Sequence, residues 1–535
     1  MRLSRLVALG ATALLAIACG EAAPPAAIIP AAAPRSSAPS TSTSTSTAAP
    51  PAPSRTAEIT LLYTSDEHGW LLPVVEKGVV TGGAAEALGQ LKRNEGHCVG
   101  DAAACPSRRT LLLSGGDNYT GPAISSYFAG ESMADAMRTM GYSAMAFGNH
   151  ELDFGRVAFV ADRARAGALY LAANVHASDP AIRAEMELPA FQIFERLGAR
   201  IGVVGLATDT TLTSAMASRF VGVRFEDEEP ALVRAIPEAW AAGADAVVLI
   251  AHECPDRLLP ILARHPDWNL SFVGAGHCHK LLTATSSTTP VVAPGWRFER
   301  YVRALLIVDL DRPRGERARR VTPELVTIAH VEGDPKAPVD APLAAAIAGW
   351  QTKLTRALGE ELGYTATGFG KESPEIARWI AGALRTELKT DVAIVNTGGI
   401  RQELPRGVIT KSTVWSILPF DNKLVIVKIK GRDLIADLET PEAGFAGVER
   451  TAKGYRLESG KALDPEATYT VATIDFLYYG GSSFQFLKQD PTPKETGLDW
   501  RAPLVDWMHR QKTTPATPLE RRVDPIGGIT AEVHH

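Results

Sequence analysis

The chain has 535 residues, of which 45% are hydrophobic and 21% charged, with a formal net charge of −5. That length leaves room for two or three domains with full cores, and the composition is that of a globular protein. The mild negative balance argues against a general nucleic-acid-binding surface, so a small anionic substrate would have to be attracted locally, by metals and a few Arg or Lys.

The N-terminus reads as a targeting segment, residues 1–19. Arg2 and Arg5 precede an apolar stretch, Leu6–Ala18, which is too short to span a bilayer and fits a signal-peptide core. It ends Leu15-Ala16-Ile17-Ala18-Cys19, which resembles a bacterial lipobox with Cys19 acylated as the mature N-terminus. Ordinary secretion is the alternative, because Ala16-x-Ala18 also fits a simple cleavage site. Residues 20–57 are Ala, Pro, Ser and Thr, too poor in large apolar side chains to offset ordering entropy, and are expected to form a disordered tether. The expected location is the cell envelope, as a periplasmic or surface lipoprotein, or secreted if Cys19 is not acylated.

Beyond the tether, short apolar runs alternate with helix-like segments to about residue 335, the pattern of a layered α/β domain. Glu58–Thr64 runs into Asp66-Glu67-His68-Gly69, and Thr110–Leu113 into Gly116-Asp117-Asn118. Cys98 and Cys105 flank a small loop, and in an oxidising compartment a disulfide is the best reading. A helix is predicted over Ser132–Met140, closed by Gly141. Ala144–Phe147 runs into Gly148-Asn149-His150-Glu151, a helix is predicted over Ala231–Ala242, and Ala246–Ala251 runs into His252-Glu253. Leu270–Val273 runs into Gly276-His277-Cys278-His279. Asp311–Arg320 is expected to be a solvated hairpin tip rather than a binding patch. A Pro- and Asp-rich shift follows at 333–342, and one amphipathic helix is predicted over Leu343–Leu358, within a linker at 336–360. A second α/β domain, 361–535, is predicted to include a helix over Glu375–Leu388 and strands at Val392–Val395 and Leu424–Ile429. No internal repeat and no second membrane-length apolar segment is apparent.

Strand ends in an open α/β sheet converge on one crevice, so Asp, His and Asn at five strand ends can meet in space. That set is rich enough for two metal ions, a common device for phosphoester hydrolysis. If the ends converge, Cys254 and Cys278 either bridge or one of them serves as a thiolate ligand; the bridge is preferred, since histidines already fill the ligand places. His97, His176, His265 and His330 lack such a context and read as surface or satisfied histidines.

Asp66-x-His68-Gly, Gly116-Asp117, Gly148-Asn149-His150-Glu151-x-Asp153 and Gly276-His277-x-His279 resemble the calcineurin-type metallophosphoesterase signature, with His252 between the last two. With Asn396-Thr-Gly-Gly-Ile-Arg401, Leu418-Pro-Phe-x-Asn422 and Gly480-Gly481, the chain resembles the bacterial 5'-nucleotidase / UDP-sugar hydrolase / 2',3'-cyclic phosphodiesterase family over roughly residues 58–510. The resemblance implies an N-terminal αββα sandwich, 58–335, and a separate C-terminal α/β substrate-binding domain. Asp66, His68 and His279 can hold one divalent metal, Asn149, His252 and His277 another, and Asp117 is suited to bridge. The mixed N and O donors suit Zn, Mn or Fe. The resemblance makes His150 the catalytic histidine, with Asp153 orienting it. It also implies substrate contacts at Asn396 and Arg401 and a nucleobase between Phe445 and Phe476, though core packing is the rival role for both rings.

Two positions depart from the family pattern. Ser482 stands where an Asp would bind sugar hydroxyls, and Lys371 is the sole cation near the place of an Arg. The implied reaction is hydrolysis of nucleoside 5'-monophosphates. The alternatives are 2',3'-cyclic phosphodiesterase/3'-nucleotidase activity, UDP-sugar or sulfur-ester hydrolysis, or a surface protein that binds without turnover. Expected partners are a small nucleotide substrate and a membrane through Cys19, with no nucleic-acid polymer.

Overall fold

Alternation along the first strand decides how this domain is layered. In the strand Thr56–Thr64, Ile59, Leu61 and Tyr63 enter one core, while Leu62 enters another on the opposite face. Thr110–Ser114 repeats this, with Leu111 and Leu113 on one side and Leu112 on the other. Strands buried on both faces suit a helix-covered parallel sheet. The computed structural model describes residues 55–522 apart from 101–104, 106–107 and 319–320, together with the backbone of Gly527–Ile529. The expected leader, Cys19 and the tether up to residue 54 lie outside the described residues, and Thr56 and Ala57 already belong to the first strand.

Two six-stranded sheets face each other. The first runs Pro323–Thr327, Arg300–Asp309, Thr56–Thr64, Thr110–Ser114, Ala144–Ala146, Leu169–Leu171. The second runs Leu281–Ser286, Thr289–Pro294, Phe272–Ala275, Ala246–His252, Ala199–Ala207, Phe191–Arg196. Ile59, Leu61, Leu111 and Leu113 meet Ile201, Val203, Val248 and Ile250 between them. Helices Ala84–Glu95, Glu131–Met140 and Arg156–Ala166 cover the first sheet through Leu88, Met133 and Phe159. Glu228–Ala241 and Pro255–Arg264 cover the second through Leu232, Ile236, Leu258 and Leu262. This is the expected αββα sandwich. The central strands of each sheet pair in parallel, so their C-terminal ends open on one edge.

The helix Ala341–Leu358 begins where Asp340 accepts a hydrogen bond from the Leu343 N–H. Its buried stripe, Leu343, Ile347, Leu354 and Leu358, packs on the outer core of the first sheet. The C-terminal half is built on a third six-stranded sheet, ordered Lys494–Asp499, Lys423–Lys430, Thr468–Ile474, Val392–Asn396, Ala443–Ala446, Gly527–Ile529. Pro374–Leu388, with buried Ile376, Trp379 and Ile380, packs in its core. Trp415 touches the cores of both halves, and the Ala123 N–H donates to Ser416 Oγ across the seam at 3.0 Å.

Both disulfides are formed, Cys98–Cys105 and Cys254–Cys278, with Cα separations of 5.7 and 5.2 Å. The thiolate-ligand alternative for Cys254 or Cys278 therefore falls away. The Arg-rich loop is not wholly a solvated tip. Arg314 and Arg317 both donate to the buried carboxylate of Asp245, at 3.1 and 3.0 Å, which fastens the loop to the second sheet. Among the described residues, no helix is long and apolar enough to cross a membrane.

Candidate active site

Each sequence-predicted ligand residue lies at or just beyond the C-terminal end of a central strand. Ligand-capable atoms of Asp66, His68 and His279 lie within 4.8 Å of one another, and so do those of Asp117, His252 and His277. Asp117 Oδ2 stands 3.7 Å from His68 Nε2 and 3.2 Å from His252 Nε2, so one oxygen faces a histidine of each group. Asn149 Oδ1 lies 3.0 Å from His252 Nε2.

Hydrogen bonds on the far side of two rings fix which nitrogens point inward. His68 Nδ1 lies 3.0 Å from the Thr120 carbonyl, and His252 Nδ1 lies 2.8 Å from the Gly115 carbonyl. A carbonyl only accepts, so each Nδ1 carries a hydrogen and each Nε2 is the nitrogen turned to the site. His68 Nε2 then meets His279 Nε2 at 3.0 Å, and His252 Nε2 meets two acceptor oxygens. Burial, then the charge of Arg401, holds His68 and His279 well below the usual histidine range. Burial and His252 hold His277 at about 4. Burial raises Asp66 to about 7, whereas on Asp117 burial is outweighed by His252, His150 and His68 and the carboxyl sits well below its usual range. His252 differs: burial works against its charge, but Asp117 outweighs it and raises the ring to about 10, a proton that a bound cation would displace. Neutral His68, His277 and His279 beside buried carboxylates fit a divalent cation, and with both cysteines bridged the donors are N and O alone.

Backbone strain is concentrated here. Asp66, His68, Asp117, His277 and His279 have φ of 56°, 44°, 59°, 67° and 53°. Non-glycine residues persist in that left-handed region only where their surroundings hold them. Gly116, with φ 92°, has no room for a side chain: a Cβ would come 2.8 Å from the Ala146 carbonyl and 3.1 Å from His252 Nδ1.

His150 lies beside this cluster. Its N–H donates to Asp117 Oδ1 at 2.9 Å, and its Nδ1 pairs with Asp153 Oδ2 at 2.8 Å. Burial works against the charged ring, but Asp153 and Asp117 outweigh it and raise His150 above its ordinary value. Trp296 stacks on His279 with ring centroids 4.6 Å apart, and Arg297 lies 3.8 Å from the Trp296 ring centroid.

A cavity of about 330 Å³ opens beside His150, between the two halves of the chain. Arg401 lines it, with Nη2 3.2 Å from His68 Nε2. Asn396 lines it with a buried Oδ1 that has no hydrogen-bond partner. Phe476 lines it too, seated so closely on Gly481 that no Cβ would fit there. Phe445 does not line it. At 2% exposure it lies in the C-terminal core, edge-on to Tyr455, within the strand Ala443–Ala446, which is buried throughout. The second aromatic wall is Phe420, tilted over His150 at 5.4 Å. Within Leu418-Pro419-Phe420-x-Asn422 no local signal in the sequence places the Phe420 ring at the site.

Glu442 was also missed: it lines the cavity and accepts a hydrogen bond from Ser482 Oγ at 2.6 Å. Only its position in the fold identifies it. Arg219 and Met216, from the N-terminal half, complete the wall. Lys371 is near enough to depress His279, after burial and Arg401. Of the four histidines set aside, His97, His176 and His265 are satisfied by Thr110 and Met140, by Glu226 and by Glu229, while His330 Nδ1 is buried without a partner.

Comparison with known proteins agrees with this architecture. Residues 360–489 match the family described as 5'-nucleotidase, C-terminal domain. A 5'-nucleotidase of Vibrio cholerae is 24% identical over 542 residues, covering 89% of this chain and 94% of that protein. Endonuclease YhcR of Bacillus subtilis is 25% identical over 410 residues, covering 69% of this chain, which spans 33% of that longer protein. The crystal structure of a 5'-nucleotidase precursor from Thermus thermophilus superposes with a TM-score of 0.71 at 22% identity, covering 87% of this chain and 99% of that one. Residues 360–489 carry the 5'-nucleotidase C-terminal domain, and the fold and ligand-capable clusters resemble those of metallophosphoesterases that bear it. The chain is a hydrolase of the metallophosphoesterase kind.

Proposed function

We propose that the protein hydrolyses nucleoside 5'-monophosphates to nucleoside and phosphate with two divalent ions, Zn, Mn or Fe. Asp66, His68 and His279 would hold one ion, Asn149, His252 and His277 the other, and Asp117 both. The observation that carries this reading is the single Asp117 oxygen facing a histidine of each cluster beside a cavity with two phenylalanine walls. Bound there, the ions would supply the charge that activates an attacking water and polarises the phosphoryl group.

The chain's own residues do the rest. His150 has Nδ1 engaged by Asp153, so Nε2 is left to hydrogen-bond the phosphoryl group or protonate the leaving oxygen. Arg401 neutralises phosphoryl oxygens. Asn396 Oδ1 and Glu442, both acceptors, suit sugar hydroxyls, with Ser482 holding the Glu442 carboxylate. Phe420 and Phe476 suit the two faces of a planar base. A carboxylate at the sugar end disfavours a second phosphate there, which sets 3'-nucleotides below 5'-nucleotides. A non-catalytic binder would have no need of the His150–Asp153 pair.

In this reading the catalytic domain, expected from residue 58, begins with the strand at Thr56 and runs to 335, with 336–360 the linker and 361–535 the substrate domain. Residues 1–19 direct export and lipidation at Cys19, and 20 to about 55 hold the enzyme off an envelope membrane. Cys19→Ser should release it from membrane fractions.

Phosphate release from AMP, 3'-AMP, 2',3'-cyclic AMP, UDP-glucose and an aryl phosphate, with Mn²⁺ or Zn²⁺ supplied, tests the substrate. Preference for AMP is expected. Turnover of the aryl phosphate alone would move the natural substrate outside the nucleotides.

A further inference from the structure

The Cys254–Cys278 disulfide sits unusually close to the ligand residues. Cys254 is two residues beyond His252, and Cys278 separates His277 from His279, one histidine of each cluster. The strands Ala246–His252 and Phe272–Ala275 stop pairing at Ala251↔Ala275, just before the ligands begin. Beyond that pair, the Gly276 N–H donates to the Glu253 carbonyl at 3.3 Å, and the disulfide is the covalent tie between the two segments.

We infer that this disulfide is a positioning clamp for the ligand histidines, and that retention of both metals depends on it. The inference rests on the metal reading above. His277 and His279 both hold left-handed backbone, which relaxes unless held. The His277 N–H donates to both Asp66 oxygens, at 3.0 and 3.1 Å, and Trp296 backs the His279 ring. Those contacts come from the first sheet and its adjoining loop. The disulfide ties the same turn to the opposite side, through Cys254 at the start of the helix Pro255–Arg264. Leu258 and Leu262 anchor that helix in the core. Because the two histidines flank one cysteine, freeing Cys278 loosens a ligand of each cluster together.

The test is titration with Mn²⁺, a hard ion with little affinity for freed thiols, in competition with a chelator. Disulfide-intact wild type, Cys254→Ala/Cys278→Ala and Cys98→Ala/Cys105→Ala are compared, with circular dichroism as the folding check. Supporting contacts around metal ligands typically govern ~10–100-fold in affinity, and a loss of that size at both sites is expected in the first variant alone. Wild-type affinity at either site in that folded variant overturns the clamp. If the variant does not fold, the Cys98→Ala/Cys105→Ala protein reduced by a phosphine is titrated instead; the phosphine takes its oxygen from water and leaves two new thiols, at Cys254 and Cys278, confirmed by mass spectrometry. Unchanged Mn²⁺ affinity in that reduced protein equally overturns the clamp. Failure of the intact wild type to bind two equivalents would instead sink the metal reading.

Discussion

The two ends of the cavity are built differently. At the ligand end, residues leave the ends of buried strands in strained conformations, and Asp117 Oδ2 faces both clusters. At the far end, Asn396 Oδ1 has no partner, Glu442 is exposed, and Ser482, itself at φ 50°, supplies a hydroxyl rather than a charge. In the reading proposed above, the groups given the chemistry follow directly on buried strands, while those given the substrate come from a strand end, short helical turns and loops, where change disturbs the scaffold least. A family can thus keep one reaction and change what it acts on.

The largest effect should come from the ligand end. His150→Ala is expected to lower turnover ~100-fold or more, the scale of a lost acid–base group, with metal content unchanged by elemental analysis. Loss of metal in that variant would make His150 a ligand and erase the distinction between holding ions and moving protons. Arg401→Lys, which keeps the charge but loses the planar fork, should cost ~10-fold in kcat/KM, about one charged hydrogen bond.

At the far end, Phe420→Ala and Phe476→Ala should each raise KM for AMP, since base stacking is worth ~1–3 kcal/mol, and leave turnover of an aryl phosphate nearly unchanged. Phe445→Ala is the contrast: it should lower stability, by ~3–5 kcal/mol for a buried Phe, without changing KM in the folded protein. A KM effect at Phe445 with none at Phe420 would reverse the assignment of the aromatic wall.

The smallest effect is on stability alone. Asp437 is buried, its Oδ2 has no partner, and burial raises its carboxyl to about 7. The folded state therefore binds this proton more tightly than the unfolded chain, so stability falls as pH rises from about 4 to about 7. Asp437→Asn should raise Tm at pH 8, by roughly 2–4 °C per kcal/mol recovered, and change it little at pH 4.

The ligand end was legible in the sequence because the signal is local: a buried apolar run, then Asp, Asn or His, directly behind a Gly at Asp117, Asn149 and His277. The helix Ala341–Leu358 was legible for the same reason, through its apolar stripe and its Asp340 cap. The far end was not. Nothing in Ala443-Gly444-Phe445-Ala446 tells that Phe445 packs in the core rather than on the cavity, and Glu442 becomes a cavity residue only because its loop meets Ser482 from 40 positions away. Arg314 and Arg317 looked solvated because their partner, Asp245, is distant in sequence.

Trp296 gives the protein an optical reporter at one cluster. Its indole lies nearly parallel to the His279 ring, at 12°, with the Arg297 guanidinium also close to it. Indole emission responds to the electronic state of a stacked imidazole, so an ion bound at His279 should change it. The difference spectrum between wild type and Trp296→Phe would follow loading of that site in real time, without a label or a substrate.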